Sequence, residues 1–511
     1  MMVVLMHIRE YKMKVSDYIK KIEKKELKEL GKKYIEKIGD EEVILVRVPG
    51  RINLLGTHVE HRGGFINTIA INKNLYCFAG KRKDKKVYIY DIEEEKYPER
   101  IFNIEEEMEK CGVVWTEFIR KVKIVSGDWV NYIKAGFLYL YNRFPESVNT
   151  GLNLFFYGDI PIGAGLSSSS AVVVATMFSI IKLFNLPIKK EELPEMCGEA
   201  EWYVGTRGGS GDHASMILGK KGYITHMRFF PFIVDYIPFL ENYKVICCNS
   251  LIEAKKSANA KDIFNERVAT YEIGLKLIKK KFPQWSEKLK YIRDINEENI
   301  GSAKKIYEML LNLPENLKRE EIYNLLPDED LDRLFETHRQ PENGYNIRDV
   351  LLYGISECRR SDICGDLLKQ KKIKEFGKLM FISHDGDRVV KFLKNGKKRK
   401  WNYRVSDEYL KKLIYFCEKK DKRGEIYYQP GAYRCSVEEV DYIVDLVKNI
   451  KGVIGAKITG AGLGGCVVIL VEEKKVEEVM EILDKKYYKI KKLPFSSFVC
   501  ESTNGVEVIT N

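Results

Sequence analysis

GDIPIGAGLSSSSAVVVAT, residues 158–176, decides how the chain is read. A strand runs into a glycine-rich turn, and four serines then open an apolar helix. AVVVATMFSIIKLF carries that helix to about residue 185 and is apolar on nearly every face, which predicts deep burial. At the start of a helix the first backbone N–H groups lack partners and carry partial positive charge. Gly163 and Gly165 remove the side chains that would keep a phosphate away from them. Ser167, Ser168, Ser169 and Ser170 add hydroxyls for phosphate oxygens and for a magnesium ion. Ordinary capping needs one serine, so four after Gly-Ala-Gly favour a phosphate-binding loop. No lysine follows the glycines, which excludes a Walker loop.

Upstream, RVPGRINLLGTHVEHRGGF (47–65) begins as a strand and meets Pro49-Gly50, where a turn is expected. Arg51 follows, then Thr57, His58, Glu60, His61 and Arg62, before Gly63-Gly64 lets the chain reverse. These polar residues suit the lip of a pocket, and equally an exposed hairpin loop. Downstream, EAEWYVGTRGGSGDHASMILG (199–219) gathers Glu199, Glu201, Arg207 and Asp212 around a glycine turn. Asp212 either orients or deprotonates a hydroxyl, or caps the short helix it begins. GAKITGAGLGGCVVILV (455–471) places Gly460 and Gly462 among five glycines between two strands. Such density permits close approach to a ligand or to another loop, or makes a tight bulged hairpin.

Around these segments the pattern predicts strands at 43–48, 66–79, 86–91, 152–158, 222–228, 243–249, 453–459, 466–472 and near 497–501. Helices are expected at 128–142, through most of 262–390, and at 475–489, and Val437, Val440, Ile443, Val444 and Val447 form one helical stripe. Pro283, Pro314, Pro327 and Pro341 mark about 283–345 as a helical insertion. Helices on mostly antiparallel sheets make an α+β fold. Residues 1–40, rich in Lys and Glu with helical spacing, read as a peripheral helical extension.

The 511 residues suffice for two or three domains. No stretch approaches the roughly 18 apolar residues of a membrane helix, and MMVVLMHIREYK lacks the marks of a leader, so a cytoplasmic enzyme is expected. The 11 cysteines are scattered without a C-x-x-C pair, which disfavours zinc ribbons and redox motifs, and Cys247-Cys248 reads as buried strand. The net charge of +12 is spread among alternating Lys and Glu. Even Lys397 to Lys400 beside Trp401 reads as solvated surface, so neither nucleic acid nor membrane is an expected partner.

In this order and spacing, the segments resemble the galactokinase, homoserine kinase, mevalonate kinase and phosphomevalonate kinase (GHMP) superfamily, and within it the galactokinase branch. Pro49 to His61 resembles the sugar segment P-G-R-x-N-L-x-G-E-H-x-D-Y. Pro161 to Ser169 resembles the loop P-x-G-x-G-L-S-S-S, and Thr459 to Cys466 resembles T-G-[AG]-G-[FL]-G-G-C. Residues 249–272 and 376–388 look like its C-terminal half, so that the resemblance spans about 42–275 and 345–502. It implies two α+β lobes, 41–235 and 236–511, with the active site between them. It also implies ATP as phosphoryl donor, Mg2+ as cofactor and a sugar as substrate. Asp212, in G-S-G-D-H for the family's G-I-M-D-Q, takes the place of the catalytic aspartate, and Arg51 that of the arginine assisting it. Ser169 and Glu201 fall where magnesium is held. Gly163, Gly165, Ser167, Ser168, Ser169, Gly460 and Gly462 fall where the nucleotide binds, and Thr57, His58, Glu60 and His61 where the sugar binds. Thr57-His58-Val59-Glu60-His61 departs from Glu-His-x-Asp-Tyr. The expected substrate is therefore galactose or a galactose-related sugar, phosphorylated at the anomeric hydroxyl, with a uronic or otherwise modified sugar as the alternative. A non-catalytic sugar or ATP sensor on the same scaffold is the alternative of another class.

Overall fold

The run at 43–48 lacks polar alternation because both of its faces are covered. In the computed structural model it belongs to β2 (Glu42–Leu55). Val43 and Leu45 join one apolar layer, while Ile44, Val46 and Val48 join another. Residues 12–109, 114–125, 127–205, 208–253 and 260–510 are described; the opening MMVVLMHIREY and Arg207 lie outside them. The turn expected at Pro49-Gly50 is absent. β2 continues, pairing Pro49 with Asn74 and Gly50 with Ile71 of β3 (Ile66–Lys81). A bulge at residues 72–73 of β3 absorbs the slip, where proline has no N–H to offer the ladder.

β1 (Met13–Lys14), β2, β3, β6 (Leu152–Gly158), β4 (Lys86–Asp91) and β5 (Arg100–Asn103) form the path of a nine-stranded sheet, in that spatial order. β7 (Tyr223–Arg228) and β8 (Ile233–Pro238) branch from β3. Only β4 and β6 run parallel within it. The helices α1 (Val15–Lys21) and α2 (Lys25–Lys37) are not peripheral: Tyr18, Leu27, Leu30 and Tyr34 are buried against Phe78, Tyr90 and Phe155. The opposite face carries α3 (Val130–Arg143) and α4 (Ser168–Phe184), whose all-round apolar surface is buried as its sequence predicts.

The second sheet is antiparallel, ordered β12 (Val453–Ile458), β13 (Cys466–Glu472), β9 (Tyr243–Asn249), β14 (Ser497–Cys500). A later strand, β15 (Glu507–Ile509), leaves this half and pairs with Leu45 to Arg47 of β2. The division at residue 236 likewise cuts β8, which stays with the first sheet. The long helices α7 (Ala260–Lys281) and α8 (Ile347–Lys369) share an apolar cluster with Leu289, Ile306 and Leu310, so the 283–345 stretch is packed into a second core that those helices also build. Lys398 to Lys400 form an exposed edge in a two-stranded hairpin, with Lys398 paired to Glu438. No helix among the described residues is long and apolar enough to cross a membrane.

Candidate active site

The cavity of about 860 Å³ between the two sheets is floored by interlocked glycine loops. Gly165 has φ +74°, and a Cβ there would stand 2.6 Å from the Thr459 carbonyl oxygen. Gly460 has φ +82°, and its Cβ would stand 2.6 Å from the Gly165 carbonyl oxygen. Neither position accepts a side chain, because each loop occupies the space a Cβ of the other needs. The second glycine loop therefore approaches another loop as well as the cavity, which Gly163, Gly460 and Gly462 line. Ser167, at φ +60°, is the last residue before α4, and with Ser168 and Ser169 it faces the cavity at that helix's start.

Arg51 reaches this point from β2. Its Nε donates to Asp212 Oδ1 at 2.7 Å, one terminal nitrogen to Oδ2 at 2.5 Å, and the other to the Gly165 carbonyl at 2.6 Å. Ser167 Oγ also donates to Asp212 Oδ2. Asp212 sits in the first turn of α6 (Gly211–Leu218), two residues past Ser210 at the cap position, so it is not the helix cap. Burial pushes its carboxyl up, but Arg51 and the Ser167 hydroxyl outweigh that and hold it below the ordinary carboxylate range. An ionised acceptor beside an unreactive cation is the result.

Glu201 ends α5 (Leu193–Glu201). Its Oε2 accepts from Ser170 Oγ at 3.0 Å and lies 2.7 Å from His213 Nε2. Glu201 and Ser169 both line the cavity, although the hydroxyl that Glu201 touches is that of Ser170. A carboxylate and serine hydroxyls are hard oxygen donors of the kind magnesium takes. Glu199 is turned away, accepting from the Tyr139 hydroxyl at 2.5 Å.

The sugar segment is held by residues that sequence reasoning missed. Glu357 of α8, fully buried, accepts from the Gly56 amide at 2.9 Å and the Thr57 amide at 3.3 Å. It is itself fixed by Arg360 Nε at 2.7 Å and Ser383 Oγ at 2.9 Å. The Tyr353 hydroxyl donates to the Thr57 carbonyl at 3.2 Å, and the fully buried Lys457 ammonium donates to Thr57 Oγ1. Burial pulls the Lys457 ammonium below its ordinary value, against Glu357 and Asp387, which raise it. Thr57, His58 and Glu60 line the cavity; His61 does not, and instead meets Tyr271 edge-on at 6.2 Å. Arg62 likewise turns to Tyr271 and the Val268 carbonyl.

Tyr97, Trp129, Tyr132, Val172 and Asp91 also line the cavity, with the Tyr97 and Trp129 rings edge-on at 5.5 Å. Burial pushes the Asp91 carboxyl up to about 6. Trp129 Nε1 is buried without a hydrogen-bond partner among the described residues. In the sequence this stretch shows only as the start of a helix.

Three family descriptions match the chain: "GHMP kinases N terminal domain" over residues 131–220, "Galactokinase galactose-binding signature" over 32–81, and "GHMP kinases C terminal" over 419–489. The galactokinase of Clostridium acetobutylicum is 26% identical over 441 residues, covering 86% of this chain and 88% of that one. The galactokinase of Fusobacterium nucleatum is 26% identical over 459 residues, covering 89% and 92%. The crystal structure of Lactococcus lactis galactokinase complexed with galactose shares the fold, with a TM-score of 0.68 at 22% identity over 94% of this chain and 100% of that one. Both GHMP halves and the galactose-binding signature thus find matches in the chain, and galactokinases resemble it along most of its length.

Proposed function

We propose that the protein transfers the γ-phosphoryl group of ATP to the anomeric hydroxyl of galactose or a galactose-related sugar. The observation that carries this reading is the contact of Arg51, Ser167 and Asp212 where the phosphate loop meets the sugar segment. Phosphoryl transfer asks for positioning and charge neutralisation more than covalent chemistry. The sugar oxygen bonds to phosphorus as the bridge to ADP breaks. Asp212 accepts the sugar hydroxyl and orients its lone pair, and its low proton affinity suits a proton that leaves late. Arg51 and the unpaired amides at the start of α4 face the charge that develops on the phosphoryl oxygens. Ser169 and Glu201 would hold magnesium, which supplies positive charge to the phosphates when bound.

An ATP-consumption assay over a sugar panel tests the assignment; no turnover with any sugar leaves the sensor reading. A second reading, a hexuronic acid, is favoured by the Lys457–Thr57 contact. A carboxylate at residue 57, as in the family, accepts from a sugar hydroxyl. Thr57 Oγ1 already accepts from an ammonium, so it offers its hydrogen to an acceptor. Comparing kcat/KM for galactose, galacturonate, N-acetylgalactosamine and arabinose separates the two; a clear preference for galactose excludes the uronic acid and leaves the kinase standing.

A further inference from the structure

Behind the sugar segment lies a group of side chains that phosphoryl transfer does not use. His58 Nε2 and Asp387 Oδ1 face each other at 3.4 Å, and neither atom has a hydrogen-bond partner beyond that long contact. Cys435 Sγ completes the set, and the three ligand atoms all lie within 4.8 Å of one another. Relative exposure is 5% for His58 and zero for Asp387 and Cys435. Buried polar atoms left unpaired cost free energy, and a bound cation would remove that cost. His58 is also held at φ +66°, in the left-handed region.

We propose that His58, Asp387 and Cys435 bind one divalent cation of the zinc class. One imidazole nitrogen, one carboxylate oxygen and one sulfur are zinc ligand types, whereas magnesium and calcium take oxygen. The site is separate from the magnesium at Ser169 and Glu201 and goes beyond the kinase reading. Outer contacts orient two of its ligands: the Tyr433 ring stacks on His58 at 4.4 Å, and the Tyr353 hydroxyl, whose one proton is shared between the Thr57 carbonyl and Asp387, lies 3.4 Å from Asp387 Oδ2. Zinc binds the thiolate form, so binding releases the Cys435 proton. Lys457 and His384 also stand near Asp387, and Glu357 offsets the charge of Lys457. His58 lines the cavity, which leaves the fourth position to a water on that side.

The three ligands come from distant parts of the chain. His58 belongs to the sugar segment and Asp387 ends α9 (Ile373–Asp387). The Cys435 carbonyl accepts from the Leu463 amide in the second glycine loop at 2.6 Å. One cation would thus fasten the sugar segment to the anchor of the phosphate side.

Cobalt reports the site directly. The full chain, dialysed against a chelator and titrated with Co2+, should bind about one equivalent and show a thiolate-to-cobalt charge-transfer band in the near ultraviolet. Cys435→Ser should abolish the band, whereas Cys417→Ser, at a half-exposed thiol elsewhere, should keep it. Asp387→Asn, which preserves shape, should weaken cobalt binding at least ~10-fold. Zinc added to the stripped protein should raise its melting temperature. Absence of cobalt binding, or a charge-transfer band that survives Cys435→Ser, overturns the proposal.

Discussion

At the end of the cavity proposed for phosphate, Gly163, Gly165 and Ser167 hold an unusual backbone; at the end proposed for the sugar, Thr57 is fixed through its amide, carbonyl and hydroxyl by Glu357, Tyr353 and Lys457. The first end depends on residues that tolerate an unusual backbone. The second depends on side chains supplied by α8 and β12. A backbone site is hard to alter because a Cβ at Gly165 or Gly460 collides with the opposing loop. A side-chain site can be rewired one substitution at a time, which is where this chain departs from the galactokinase pattern.

Asp212→Asn, at the meeting point of both ends, should have the largest effect. Turnover should fall about 10²–10⁴-fold while calorimetric nucleotide binding is kept. Near-normal turnover would remove the Arg51–Asp212 contact from the chemistry. Next is Glu357→Gln, which leaves the fully buried Arg360 with the Tyr427 and Gln429 carbonyls but without its carboxylate. A loss of about 3–5 kcal/mol is expected in denaturant unfolding. A loss below ~1 kcal/mol would mean that the network is not what holds the sugar segment.

Gly165→Ala should cost about 1–3 kcal/mol and raise the KM for ATP while sparing that for the sugar. An equal rise in both would show that the two ends are not independent. Glu201→Gln should raise the magnesium concentration needed for half-maximal activity, and recovery at high magnesium is part of the expectation. An unchanged requirement would remove Glu201 from the metal. The smallest effect is the sharpest test of the sugar end. Thr57→Glu should shift preference from uronic acid towards galactose by about 1–3 kcal/mol, read as the ratio of the two kcat/KM values.

The glycine–serine turn and the buried helix after it were legible because their information is local: G-A-G followed by serines is a backbone requirement written in consecutive residues. Most strands could be placed for a similar reason, since the apolar runs at 43–48 and 466–472 lie within two-sided cores. What lay beyond reach was pairing over long separations. Nothing around Lys457 sets it apart from the many other lysines, and its role comes from Thr57, 400 residues away. Glu357 reads as one more charge on a helix, and Trp129 as a helix start. Pro49-Gly50 misled because the slack appears in the partner strand rather than in a turn.

The pairing of β15 with β2 has a consequence for synthesis. β1 and β15 lie against successive parts of the same strand, at residues 42–43 and 45–47. On the ribosome, the first sheet emerges early but keeps an open edge until Glu507 to Ile509 have been translated. An unpaired edge is a template for association with other chains. Nascent chains stalled before β15 should therefore be the species most prone to aggregate, although nearly every other strand has already formed.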